Sequence, residues 1–241
     1  MDLVSNTHLI IGQSAGNFSK NMTERKDFCN SYITSLKTLN TLKKQGKKDF
    51  SWYKKEIKNL FKISETPKIS VRYKTFLGGV VAGEGSINVS AKKRPNARFG
   101  FTIDPEFSIT QHIDNFFFLF AALLLFQTGR FDFKNKRDGT FVYKIDNRKS
   151  IKEKVIPFWE TYVLPFQDCK GRERIKGFKK LIFMLEEKNH TNLSLFTNEI
   201  LPLWDKLRLQ KGQKNDSFPN LQAARDFAIR KGSSETLRDL I

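Results

Sequence analysis

At 241 residues, 39% of them hydrophobic and 23 of them phenylalanine, the chain can bury a full core, which excludes a disordered polypeptide. Lysine and arginine total 43 against 25 aspartate and glutamate, a formal charge of +18. So large an excess repels itself in a compact fold, and a polyanion that neutralises it is the natural partner, nucleic acid ahead of an anionic membrane.

Residues 1–22 are polar and contain Ser, Asn and Gly, which predicts a disordered tail with neither a signal nor a transit pattern. A helix is expected from Thr23, with Phe28, Tyr32, Leu36 and Leu39 at helical spacing, ending in a basic stretch at 43–48 around Gly46. A second helix over 49–61 completes a helical N-terminal extension, 23–66, and Thr66-Pro67 opens the main domain, 67–241. Residues 73–84 read as a helix that stops at Gly85. The period then changes to two: Ser86, Asn88, Ser90 and Lys92 alternate with Ile87, Val89 and Ala91, the mark of a half-buried strand. Residues 92–96, with Pro95, turn the chain, and 98–110 alternate again with Phe99, Phe101, Ile103, Phe107 and Ile109 on one face. The run FFFLFAALLLF from Phe116 to Phe126 is half a membrane span, so it is expected as a buried helix within 113–127. A second hairpin starts at Gly129, turns at Asp138-Gly139 and returns through Phe141, Tyr143 and Ile145. Helices are expected over 151–162, 173–186, 193–211 and 220–230. This order predicts an α+β domain whose four-stranded antiparallel sheet has one apolar and one polar face. Cys29, Cys169 and the scattered His8, His112 and His190 fit neither a zinc site nor a disulfide framework.

The polar face of an ordinary sheet is simply wet. Here it is rich in groups that read base edges, Ser86, Asn88, Ser90, Lys92, Arg98 and Thr102, and in cations, Arg130, Lys134, Lys136, Arg137 and Lys144. A twisted antiparallel ribbon fits a DNA major groove, where Arg, Lys and Asn have specific base partners. Lys93, Arg94 and Arg148 flank it as phosphate contacts that fix register. Asp104 and Glu106 interrupt the positive face, either as acceptors from cytosine or at a bulge around Pro105.

The segment FLGGVVAGEG, Phe76 to Gly85, is the most informative. Gly78, Gly79 and Gly83 lie inside a helix, where each costs about 1 kcal/mol relative to Ala. Gly79 and Gly83, four apart, leave a flat strip on which another helix can approach closely, in the core or in a dimer interface. Glu84 falls at the helix C-terminus, where the macrodipole disfavours an anion. It reads either as a solvated helix-end carboxylate or as a metal ligand assisted by a nearby carbonyl. Two copies meeting on a twofold axis would bring two carboxylates together, which either raises a pKa or recruits cations; with scissile phosphates they would form a Mg²⁺ site for hydrolysing one phosphodiester on each strand.

Leu77-Gly-Gly-Val-Val-Ala-Gly-Glu84-Gly85 resembles the LAGLIDADG motif of homing endonucleases, and the helix–hairpin–helix–hairpin order resembles that family's αββαββα core. Segments such as Asp104-Pro105-Glu106-Phe107, Thr110-Gln111-His112 and Ile145-Asp146-Asn147-Arg148 add to the resemblance, which covers residues 50–230. It implies a homodimer built on the motif helices Gly78, Gly79 and Gly83, with N- and C-terminal helical extensions around the core. It also implies a long, nearly palindromic double-stranded DNA target in an organellar rRNA gene, chloroplast or mitochondrial, and intron homing by cleavage that leaves 3′ overhangs. The cofactor implied is Mg²⁺, for which Mn²⁺ substitutes. The family's metal-binding acid falls on Glu84, a departure from the usual Asp, with its accompanying carbonyl on Gly83. The glutamine that orients water falls on Gln111, although strict alternation points it to the apolar side unless the strand bulges or ends there. A supporting basic residue falls among Lys170, Arg172 and Arg174, with Arg172 favoured. Water is the implied nucleophile.

Two rivals use the same basic sheet: a maturase that binds intron RNA, and a DNA-binding regulator without catalysis, whose binding would not depend on Mg²⁺. Intact Glu84 and Gln111 favour cleavage, since neither rival needs a metal-binding acid. The basic stretch at 43–48 leaves the N-terminal extension open as a DNA clamp or as packing.

Overall fold

A computed structural model describes residues 22–135, 139–208 and 217–236. Lys136, Arg137 and Asp138, the end of the helix expected over 193–211, and the expected tail apart from Met22 lie outside them. Helix α1 (Met22–Lys44) buries Ile33 and Leu36 and closes in a turn where Gly46 adopts φ +68°. The helix restarts as α2 (Phe50–Leu60) because Asp49 caps it, accepting a 2.7 Å bond from the Trp52 amide. Helix α3 (Val71–Glu84) passes directly into β1 (Gly85–Lys93). Strand β2 (Phe101–His112), the apolar helix α4 (Phe116–Phe126), β3 (Arg130–Asn135) and β4 (Thr140–Ile145) follow. A helical run over 148–166, α5, contains two π-helical stretches, Ile151–Val155 and Trp159–Val163. Helix α6 (Cys169–Glu186) is capped by Asp168, α7 covers 193–208, and α8 is Leu221–Thr236.

The sheet has four strands in the order β1-β2-β4-β3, and β3 pairs antiparallel with β4, Phe131 opposite Tyr143. Among the described residues no helix is long and apolar enough to cross a membrane, and α4 is buried over most of its length. Three details differ from the expectation. Strand β2 begins at Phe101, because residues 94–100 form a turn closed by the Arg94 amide on the Gly100 carbonyl at 2.9 Å; Arg98 and Phe99 therefore precede the strand. Pro105 needs no bulge, since it takes its place in the alternation of buried residues that runs from Phe101 to Phe107. The polar face is also not uniformly wet, for Ser108 and Val142 on it are buried.

The chain divides into two compact units that do not follow its linear order. One holds the residues up to Tyr73 together with Ile109–Lys144; the other holds Lys74–Ser108 and the chain from Ile145 onward. In the first unit Phe61 stacks on Phe116 at 3.4 Å, and Phe141 meets both rings edge-on. In the second, Phe101 packs on Phe196 and Phe218, and Phe107 meets Trp159 edge-on.

The N-terminal helices are therefore part of a core, and one polar network fixes them to β3. Phe131 of this edge strand has its amide on the Tyr53 hydroxyl at 3.1 Å and its carbonyl on the Asn40 amide nitrogen at 2.8 Å. The Tyr53 hydroxyl donates in turn to Asn40 Oδ1 at 2.9 Å. Two side chains thus satisfy backbone groups that an open sheet edge would leave unpaired. Tyr53 is fully buried, which pushes its hydroxyl pKa up and keeps it a neutral donor. Replacing Tyr53 by Phe strands the Phe131 amide in the core, and urea unfolding should show a loss of about 1–3 kcal/mol.

Candidate metal centre and nucleic-acid interface

The three glycines within α3 divide into two kinds. Gly78 is buried, and a Cβ there would overlap the Tyr162 carbonyl oxygen and stand 2.6 Å from its carbonyl carbon. Gly78 thus packs α3 against α5 of its own chain, which corrects its expected place in a dimer interface. A Cβ on Gly79 or Gly83 would meet nothing within 4 Å. These two share a face with Phe76, which is 52% exposed. Gly85 is required for a third reason: a Cβ would overlap the Val81 carbonyl and lie 2.6 Å from Val81 Cγ1. Only glycine lets the strand leave the helix without a loop. Glu84, the last residue of α3, is therefore held exposed at the root of β1.

Strand β1 turns Ser86, Asn88, Ser90 and Lys92 outward and buries Ile87, Val89 and Ala91, as the period of two requires. Ser86 bonds Asn88 at 3.1 Å, and the Ser90 hydroxyl donates to the Asp104 carbonyl. The Asp104 carboxylate lies 3.1 Å from Lys92 and 3.6 Å from Arg94, whose Nε also donates to Thr102 at 3.2 Å. Burial alone would raise the Asp104 pKa, but the Thr102 hydrogen bond and the two cations hold it below the ordinary value. Its contribution to stability is therefore present above the ordinary carboxylate pKa, and is lost only as pH falls through the depressed value. At neutral pH Asp104 is an ionised strut between two cations.

The β3–β4 hairpin repeats that device. Asp132 lies 3.5 Å from Arg130 and 3.7 Å from Lys144. Lys134 is exposed, with Nζ 3.4 Å from the Thr110 hydroxyl on β2. Gln111 is the next-to-last residue of β2 and half-buried. It belongs to the first compact unit, whereas Glu84 belongs to the second.

Of the three basic candidates near the start of α6, Arg174 reaches β1. Its Nη2 donates to the Ile87 carbonyl at 2.8 Å, three residues past Glu84, and its buried Nε has no hydrogen-bond partner among the described residues. Arg172 is exposed and spends its Nε on the Gln167 carbonyl at 3.2 Å, at the start of its own helix. The sequence reading favoured Arg172, because it holds no record of which α6 residue faces the strand. Two expected phosphate contacts are engaged elsewhere: Arg148 donates to the Leu185 carbonyl at 3.3 Å, and the Lys93 ammonium lies over the Phe218 and Phe227 rings. Arg98 lies exposed in the turn before β2, its guanidinium 6.0 Å from the Phe99 ring centre.

The profile of the LAGLIDADG endonuclease family matches residues 77–167, from within α3 through both hairpins and α5. The DNA endonuclease I-CeuI of Chlamydomonas moewusii is 42% identical over 196 residues, covering 81% of this chain and 89% of that protein. The chain belongs to the LAGLIDADG endonuclease family. The structure of I-CeuI, a group I intron-encoded homing endonuclease complexed with DNA, aligns over 83% of this chain and 95% of that one, with a TM-score of 0.76 and 41% identity. The archaeal intron-encoded homing endonuclease I-Vdi141I, also complexed with DNA, shares the fold at a TM-score of 0.57 and 24% identity, over 66% of this chain and 95% of that one.

Membership implies a divalent metal cofactor, and the residues present suit one of a particular kind. Among the described residues no group of three or more His, Cys, Asp or Glu could hold a metal. One chain instead offers an exposed Glu84 carboxylate beside backbone carbonyls at a helix C-terminus, where the dipole favours a cation. A hard cation that takes one or two protein carboxylates, water and substrate phosphates fits this donor set.

The glycine faces give a paired prediction. Gly78→Ala must force α3 away from Tyr162 and should lower the melting temperature sharply. Gly79→Ala and Gly83→Ala meet open space in the single chain and should raise helix stability by up to about 1 kcal/mol each. If a second α3 packs on that face, the same two substitutions weaken self-association, measured by sedimentation.

Proposed function

We propose that this chain is a homodimeric, site-specific double-strand DNA endonuclease of intron homing, and that two α3 helices meet along the face of Gly79 and Gly83. The observation that carries the proposal is the coincidence, within α3, of a face open to a second helix and an exposed acid at the end of that helix. Contact along this face brings two Glu84 carboxylates to the twofold axis. The outward residues of β1 and β2, and those of β3 and β4, lie along the duplex on either side. The target is long and nearly palindromic, in an organellar rRNA gene, chloroplast or mitochondrial, and the products carry 3′ overhangs.

Glu84 and the Gly83 carbonyl would hold Mg²⁺, with Mn²⁺ as a substitute; when bound, the ion supplies Lewis-acid activation of the phosphate and a hydroxide-like water. Gln111 would orient the attacking water. We assign the supporting cation to Arg174 in place of Arg172, because Arg174 is fixed on β1 through the Ile87 carbonyl, three residues past Glu84. Ser86, Asn88, Ser90 and Thr102 offer donors and acceptors to base edges. Lys92, Arg94, Arg130, Lys134 and Lys144 supply charge, tempered by the struts of Asp104 and Asp132.

Glu84→Gln should still bind the target duplex while its Mg²⁺-dependent cleavage falls by more than about a hundredfold; undiminished cleavage would remove Glu84 from the site. Asp104→Asn releases Lys92 and Arg94 from their strut. Binding to unrelated DNA should tighten, and its dependence on salt should steepen by about one phosphate contact. Unchanged non-specific binding would show that these cations do not face DNA.

A further inference from the structure

The helix pair α1–α2 does more than its packing demands. Tyr53 and Asn40 bond the Phe131 backbone, the Lys43 ammonium donates to the Gly129 carbonyl, and Asn40 also lies 3.5 Å from Asp132. The turn between the two helices is thus fastened at the start of β3, beside Arg130. That turn and the helix after it are strongly basic. Residues 43–68 contain nine lysines against Asp49, Glu56 and Glu65, and Asp49 is already spent capping α2. Lys44, Lys47, Lys48, Lys54 and Lys55 have no carboxylate within ion-pair distance among the described residues. Lys48 stands 5.7 Å over the Trp52 ring, which restricts its stem. An ordinary solvated helix mixes its charges, because i,i+4 pairs stabilise and like charges repel. Residues 43–68 instead crowd one sign against the β3–β4 hairpin, whose outward side chains Arg130, Lys134 and Lys144 are cationic and whose Asp132 pairs with Arg130 and Lys144. A phosphate backbone is the partner that relieves this repulsion.

We propose that α1–α2 is a second DNA-contacting element, in which Lys44, Lys47, Lys48, Lys54 and Lys55 bind the phosphates of the duplex beyond the β3 edge of the sheet. This rests on the DNA-binding role of the sheet proposed above. The contacts are to backbone, so they lengthen the footprint and add affinity without reading sequence.

The test uses the full chain carrying Lys44→Gln, Lys47→Gln and Lys48→Gln together, beside the unsubstituted protein, on a target duplex with long flanks. The triple variant should melt at the same temperature. With three lysines lost from each of two chains, its log affinity against log salt should be shallower by about 5. Hydroxyl-radical protection should shorten at both outer ends, and binding at moderate salt should weaken by about tenfold or more. An unchanged salt slope and footprint overturns the proposal. So does a loss confined to duplex RNA, which would make the helix pair an RNA-binding element. If the unsubstituted protein itself neither binds nor cuts the duplex, the failure belongs to the proposed function, and that control separates the two.

Discussion

The approach of backbones around α3 is the constraint on which the centre of the protein depends. On one side α3 lies so close to the Tyr162 carbonyl that a single methyl group at Gly78 cannot be accommodated. On the other side Gly79 and Gly83 present backbone to open space. A helix with three glycines is weak on its own, by about 1 kcal/mol for each. The arrangement becomes reasonable when one glycine is spent on the core and the other two on a partner that can come equally close. Gly85 adds the last condition. By leaving out a loop between helix and strand, it keeps Glu84 at the junction, as an acid placed by backbone geometry more than by side-chain partners.

Charge on the nucleic-acid face is governed by struts. A row of unopposed cations would bind any phosphate chain with similar strength. Asp104 between Lys92 and Arg94, and Asp132 between Arg130 and Lys144, hold the long side chains in defined positions and lower the uniform attraction. On the proposed reading, base-edge groups such as Ser86 and Asn88 then weigh more in the choice of sequence. The basic α1–α2 pair takes the opposite part: Lys44, Lys47, Lys48, Lys54 and Lys55 have no carboxylate within ion-pair distance among the described residues, and they are set against an edge strand, where general affinity does not compete with reading.

Much of this was legible in the sequence because it depends on periodicity. The change from period 3.6 to period two after Gly85 located the helix-to-strand junction, and the alternation in β1 assigned Ile87, Val89 and Ala91 to the buried face as observed. What periodicity does not encode was missed. Gly78 and Gly79 are adjacent and chemically identical, and only the position of Tyr162 on α5 separates their roles. Arg172 and Arg174 differ by two positions on α6, and only the carbonyl of Ile87 on β1 distinguishes them. The start of β2 was placed three residues early, because Phe99 continues the alternation although a turn with φ +74° at Gly100 intervenes. Long-range contact decides each of these, and a local pattern holds no record of it.

The central claim is that two α3 helices meet and carry two Glu84 side chains to one cleavage site. The most direct measurement is the native mass of the complex between the Glu84→Gln chain and a target duplex. The account predicts two chains on one duplex. A stable, site-specific complex with a single chain would contradict it.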